Sequence, residues 1–201
     1  MKYDFIEIGT SDFDTLIQSS NTTTKGISIE PLKFYLDNLP NNDNIIKSNY
    51  AVSNFNGKID IYYVPPKKIT EYGLPYWIRG CNSIGTPHPT VINLLKNNYT
   101  DIIEVEAVEV ITWSDIISKY DVESVDLIKI DTEGHDHIIL EEYYKICIKN
   151  PKLLAHKIIF EKNKLSNQSA ISDLLNKFES LGYKYKIKDI DNCILYKEQY
   201  I

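Results

Sequence analysis

The sequence is poor in the features that mark a secreted, membrane-spanning or nucleic-acid-binding protein. Cysteine occurs three times, at Cys81, Cys147 and Cys193, and never in C-x-x-C spacing. An odd set of isolated thiols makes neither a disulfide framework nor a zinc site and points to a reducing compartment. No apolar run approaches the ~20 residues of a membrane span. Asp4 and Glu7 interrupt the stretch where a signal peptide would hold its apolar core. The expectation is therefore a cytoplasmic protein with no membrane contact. Positive charge is not in excess either: the net charge is -6, which argues against a broad nucleic-acid footprint. A D/N-P-P-Y/F motif is also missing, since neither acid nor amide precedes Pro65-Pro66.

Arginine is scarcer still. Of the 22 lysines and arginines only Arg79 is an arginine, leaving 21 lysines. With abundant Asn, Ile and Tyr, this composition follows AT-rich coding and carries no chemistry of its own. Arg79 is the exception. It lies in Trp77-Ile78-Arg79-Gly80-Cys81-Asn82, where a planar guanidinium offers bidentate recognition that lysine cannot. Trp77, Arg79 and Asn82 are thus candidate acceptor-binding residues.

Glycine is also sparse, and none of the eight glycines falls in a G-x-G-x-x-G fingerprint. That removes the usual means of bringing backbone amides up to a pyrophosphate.

What is present is an alternation of strand and helix patterns in 201 residues, the size of one domain, 1–201. Strand patterns cover 3–8, 26–30, 44–49, 105–111, 125–130 and 153–160. Helix patterns cover 12–19, 32–39, 112–120, 136–149 and 169–181. Asn56-Gly57 reads as a hairpin turn feeding an added strand over 58–64. Residues 183–188 and 193–196 read as a closing antiparallel hairpin. Residues 65–90 hold five prolines and three glycines and read as a long substrate or lid loop. Its aromatics need cover, for which a homodimer is the expectation. The class is α/β: a three-layer fold with a mostly parallel sheet and a C-terminal antiparallel hairpin.

Two strand ends stand out, Ile6-Glu7-Ile8-Gly9-Thr10-Ser11-Asp12 and Ile128-Lys129-Ile130-Asp131-Thr132-Glu133-Gly134. In an open parallel sheet such ends line the ligand crevice. Glu7 and Asp12 would repel a phosphate and attract a positive centre. Glu30 follows Gly9 by 21 positions, the place of an acid that holds ribose hydroxyls. S-adenosylmethionine joins a sulfonium, an ammonium and a ribose, and fits that set.

These residues carry a family resemblance. The chain resembles the FkbM family of S-adenosylmethionine-dependent O-methyltransferases over roughly 5–161. The likeness lies in Glu7-Ile8-Gly9, Glu30-Pro31, Asn49-Tyr50-Ala51-Val52-Ser53 with Asn56-Gly57, and Asp126-Leu127-Ile128-Lys129-Ile130-Asp131-Thr132-Glu133-Gly134. The first motif departs from the family in carrying Thr10, Ser11 and Asp12. The resemblance implies a Rossmann-like three-layer methyltransferase fold with a mostly parallel seven-stranded sheet, and methyl transfer to a hydroxyl of a sugar, glycan or small metabolite. It implies a cofactor site of Glu7, Gly9, Thr10, Ser11, Asp12, Glu30, Pro31, Ala51, Val52 and Asp131. Many relatives carry a helical segment before the first strand, so here the cap over the cofactor is expected to be missing or to come from a partner.

Asp131, Glu133 and His135 are the candidates for taking the acceptor's proton. Lys129 sits in a strand covered on both faces, where an unpaired ammonium is costly. Glu161 is its expected partner, and both residues are assigned to the acceptor pocket. Ligands as close in sequence as Asp131 to His137 rarely converge on one ion, and no H-E-x-x-H spacing occurs, so no metal is expected. His88 and His156 read as ordinary loop and core histidines. A nicotinamide-dependent sugar-modifying enzyme lacks its glycine fingerprint here. A non-catalytic module would have no reason to keep Glu7, Gly9, Glu30 and Asp131 together.

Overall fold

Two strands rich in apolar residues, 2–8 and 124–130, lie side by side in the main sheet. In this computed structural model residues 1–96, 99–189 and 191–198 are described. Positions 97, 98, 190 and 199–201, which the expected 1–201 unit also includes, lie outside the described residues. In chain order the strands are β1 (Lys2–Ile8), β2 (Gly26–Ile29), β3 (Ile45–Ser48), β4 (Ala51–Val52), β5 (Gly57–Tyr63), β6 (Ser83–Ile84), β7 (Glu104–Ile111), β8 (Ser124–Ile130), β9 (Lys157–Glu161), β10 (Lys184–Ile187) and β11 (Asn192–Tyr196). The helices are α1 (Lys33–Asn38), α2 (Pro66–Glu71), α3 (Pro89–Leu95), α4 (Tyr99–Ile102), α5 (Trp113–Lys119), α6 (Asp136–Cys147) and α7 (Gln168–Ser180).

The main sheet has the order β10-β11-β9-β8-β1-β2-β3. Its members from β9 through β3 are parallel, and β11 runs antiparallel to both β9 and β10. On one face Ile6, Ile8, Ile128 and Ile130 bury against Trp113, Tyr143 and Phe178 of α5, α6 and α7. On the other, Phe5 packs with Ile17, Leu36 and Leu39. Helices on both faces of a parallel sheet make a three-layer, Rossmann-like arrangement. The chain leaves β1 toward β2 and β3, then crosses to β8 on β1's other side. The carboxyl ends of β1 and β8 therefore flank a topological switch point, where open α/β sheets bind ligands.

The crossing segment builds a second sheet, β4-β7-β5-β6, whose Ile61, Val108 and Val110 pack on Leu32 and Tyr35 beside α1. This corrects the expected hairpin at Asn56-Gly57: β4 and β5 do not pair with each other but lie on either side of β7. A two-residue β4 has too short a ladder to close a hairpin, and the longer β7 takes both partners.

Two further expectations are corrected. Residues 12–19 form only a 3-10 turn at Ile17–Ser19. Ser11 and Asp14 have φ of 47° and 54°, and the Glu7 carboxylate takes the Leu16 N–H at 2.9 Å, so no helical ladder can start. Residues 65–90 are not one long loop. They contain α2, a 3-10 turn at Tyr76–Gly80, β6 and the start of α3. Pro66 and Pro89 open helices at the position that needs no N–H, so prolines that read as breakers act as starts. No described helix is long and apolar enough to cross a membrane.

Candidate active site

The backbone pairing of β1, β2, β8 and β9 brings four loops to one rim. Ile8 is level with Ile29 and Ile130, and Ile130 with Phe160. Gly9, Glu30, Asp131 and Glu161 therefore end their strands at the same height. Gly9 N–H bonds the Ile29 carbonyl and Asp131 N–H the Ile8 carbonyl, both at 2.9 Å. Gly9 has φ +78°, and a Cβ there would lie 2.0 Å from the Asp131 carbonyl oxygen. Only glycine permits that approach.

A cavity of about 350 Å³ opens above these ends. Of the residues expected at a cofactor site, Gly9, Thr10, Ser11, Glu30, Pro31, Ala51, Val52 and Asp131 line it. Glu133, Trp77, Asn82 and Glu161 line it as well. Phe13, Asp14, Tyr50, Cys81 and Thr132 join them unforeseen.

Glu30 is buried, and its two carboxylate oxygens accept the N–H groups of Ser11 at 2.7 Å and Leu32 at 2.9 Å. Burial pushes its carboxyl up to about 7 against the pull of those amides. Thr10 N–H adds a third donor to this carboxylate, which leaves a lone pair for a hydroxyl. At the other end Glu161 accepts from Asn163 Nδ2 at 2.8 Å. Burial first, then the charges of Glu133, Asp131 and Asp136, push Glu161 up to about 9. It is a neutral acid near pH 7. Asp136 is the hidden support of this rim. Fully buried, it accepts from Thr132 N–H at 2.9 Å and from Glu161 N–H at 2.8 Å, tying the β8 loop to the end of β9. Its position at the start of a helix gave no sign of that role.

Five expected site residues stand elsewhere. Glu7 is wholly buried under the rim, accepting from Leu16 N–H at 2.9 Å and Lys129 Nζ at 3.1 Å. Lys129 therefore pairs with Glu7 and not with Glu161. The two are register partners on adjacent parallel strands, whereas the partner of Lys129 on β9 is the apolar Ile159. Burial pulls the Lys129 ammonium down, but Glu7 and then Asp131 more than offset that. Lys129 faces a second cavity of about 400 Å³, which shares Asp14 and Asp131 with the first.

Asp12 and Arg79 are also absent from the lining, because they pair with each other at 2.6 Å. The guanidinium lies between the rings of Phe13, 4.4 Å away, and Tyr76, 4.0 Å away. It locks the 3-10 turn carrying Trp77 to the turn after β1. His135 turns away from the cavity to Ser53 Oγ at 2.9 Å, and burial, then His137, lower its pKa to about 4.

His88 is the converse case. It comes from the start of α3 to within 3.2 Å of Glu133 Oε2, so it is a neighbour of the site and not an ordinary loop histidine. Cys81, His88 and Glu133 lie close enough to suggest a metal site, their ligand atoms within 4.8 Å of one another. The hydrogen bonds point to another use. His88 Nδ1 accepts the Thr90 N–H at 3.1 Å, so the ring proton is on Nε2, where a metal would need a lone pair. Burial, then Glu133 and Glu161, also push the Cys81 thiol up to about 12.

A parallel sheet with strand-end acids at its switch point defines the class: a Rossmann-like α/β protein with a crevice at the carboxyl ends of its strands. The family follows from comparison with known proteins. A family model described as the methyltransferase FkbM domain matches residues 7–185. The chain belongs to that family and carries a methyltransferase domain. No curated protein and no solved structure matched the chain.

Proposed function

We propose that the protein is an S-adenosylmethionine-dependent O-methyltransferase acting on a hydroxyl of a sugar, glycan or other small hydroxylated metabolite. One observation carries the reading. Asp14, Glu30, Asp131, Glu133 and Glu161 line the cavity, and among the described residues no lysine, arginine or histidine lines it. The carboxylates of Asp14, Asp131 and Glu133 would repel a pyrophosphate and attract a ligand with a sulfonium and an ammonium, while Glu161, neutral near pH 7, and Glu30, pushed up to about 7, add hydrogen bonds more than charge. Glu30 would hold the ribose hydroxyls, and the Gly9–Ser11 turn with Asp131 the charged amino-acid end. When bound, S-adenosylmethionine supplies a methyl group made electrophilic by its sulfonium.

The protein's own contribution is orientation and proton handling. Positioning two reactants at near-attack distance supplies much of the acceleration in a displacement. Trp77 offers an apolar ring for the face of a sugar, while Asn82 and the carboxyl groups offer hydrogen-bond partners for its hydroxyls. The same carboxyl groups disfavour phosphorylated or uronic acceptors. The test is transfer of labelled methyl from S-adenosylmethionine to a panel of neutral, phosphorylated and uronic sugars. Labelling of neutral members is expected. Labelling confined to the anionic ones would overturn the assignment of the acceptor.

A further inference from the structure

Glu133 is held more closely than a rim residue requires. Its backbone is in the left-handed region, φ 50°, and Gly134 follows at φ 99°. Two donors meet on one of its oxygens: His88 Nε2 at 3.2 Å and Asn163 Nδ2 at 3.4 Å, both on Oε2. Oε1 carries no such contact among the described residues. The His88 side chain is only 7 % exposed. Because its Nδ1 accepts the Thr90 N–H, the fold itself fixes the tautomer that donates to Glu133. Asn163 also donates to Glu161 at 2.8 Å, so one amide group stands between the two carboxyl groups. His88 belongs to the segment between β3 and β8, and Glu133 follows β8. The contact thus joins the second sheet's segment to the main sheet at the cavity.

We infer that His88 is a positioning residue: with Asn163 it occupies Oε2 of Glu133 and leaves Oε1 to take the proton of the acceptor hydroxyl. The inference rests on the hydroxyl-methylation reading. In that step the acceptor O–H bond breaks, its proton going to Glu133 Oε1. The acceptor oxygen bonds the methyl carbon as the carbon–sulfur bond breaks, its electron pair remaining on sulfur. Glu133 ends protonated and returns its proton to solvent. Among Asp131, Glu133 and His135, this geometry selects Glu133. Asp131 is shared with the Lys129 ammonium, 3.8 Å away, and His135 is bonded to Ser53.

Two measurements test it. The chain has four histidines, so ring nitrogens of the 15N-histidine-labelled protein can be assigned by substitution. His88 should carry its proton on Nε2, and Glu133→Gln should move that resonance. A proton on Nδ1, or no response to Glu133→Gln, overturns the contact. In methyl transfer, His88→Phe should lower kcat by roughly tenfold or more. Acceptor KM and S-adenosylmethionine affinity should stay within about twofold. His88→Gln, which keeps an N–H donor, should recover most of the rate. An unchanged kcat, or a loss confined to KM, overturns the positioning role. If the wild type methylates no hydroxyl, the functional reading falls and the proton role of Glu133 with it. The nitrogen spectrum would still decide where His88 sits.

Discussion

The main sheet and the segment between β3 and β8 furnish opposite walls of one cavity by different physical means. Gly9, Glu30, Asp131 and Glu161 follow or end parallel strands, and their heights are set by backbone pairing in register. Trp77, Cys81 and Asn82 come from short elements joined to the sheet through side chains, and His88, outside the lining, belongs to the same segment. Those joints are the Asp12–Arg79 ion pair between two aromatic rings and the His88–Glu133 hydrogen bond. The difference teaches that the acids facing the ligand are as rigid as the fold itself, while the opposite wall is fastened by a few contacts that substitution can release.

Breaking the sheet side should cost most. Gly9→Ala places a Cβ against the Asp131 carbonyl at positive φ. A loss on the order of 5 kcal/mol or more in urea unfolding is expected. A fully stable variant would mean that the two strand ends can move apart. On the other side, Arg79→Met leaves Asp12 buried without its partner, and about 3–5 kcal/mol should be lost. Arg79→Lys should recover part of that, because charge is kept while the planar stacking is lost. Should Arg79→Lys instead leave stability intact and raise only acceptor KM, the latch assignment is wrong and Arg79 contacts the acceptor.

Smaller effects sharpen the contrast between the two ends of the cavity. Glu30→Ala should weaken S-adenosylmethionine binding by on the order of 1–3 kcal/mol in calorimetry. Unchanged affinity would remove Glu30 from the site. Glu161 should show itself through pH. Its folded pKa is raised to about 9, so the folded protein keeps a proton that the unfolded chain releases in the ordinary carboxylate range. The stabilisation is complete below that range and is lost as pH climbs toward 9. Between pH 7 and 9 stability should fall by at most about 1.4 kcal/mol per pH unit. Glu161→Gln should flatten that slope, and a slope that persists would assign it to another group.

The same contrast governs what could be read from the sequence. β1, β2, β8, β9, the helices of the second half and the closing hairpin follow from apolar periodicity and turn residues, because local pattern and tertiary burial agree there. Glu30 was legible through its distance from Gly9, and Asp131 and Glu133 through the motif after β8. The crossing segment was not. Its prolines begin helices, its strands pair with partners up to 59 residues away, and periodicity cannot tell which sheet β7 joins. The Asp12–Arg79, Glu7–Lys129 and His88–Glu133 pairs span 67, 122 and 45 positions. Sequence gave the chemistry of each partner, and only the fold decides which charges meet one another and which face the ligand. The scarcity of arginine did mark Arg79 as unusual, and in the fold its guanidinium is taken up by Asp12 and two aromatic rings.

The central claim is that this acidic crevice takes an adenosyl sulfonium and refuses a dinucleotide. Thermal denaturation of the protein titrated with S-adenosylmethionine, S-adenosylhomocysteine and NAD tests it most directly. Ligand at a hundred times its dissociation constant adds about 2.7 kcal/mol, which for a domain of this size raises Tm by roughly 5–11 °C. The account predicts that rise with the two adenosyl ligands and none with NAD. A rise with NAD, or no rise with either adenosyl ligand, would contradict it.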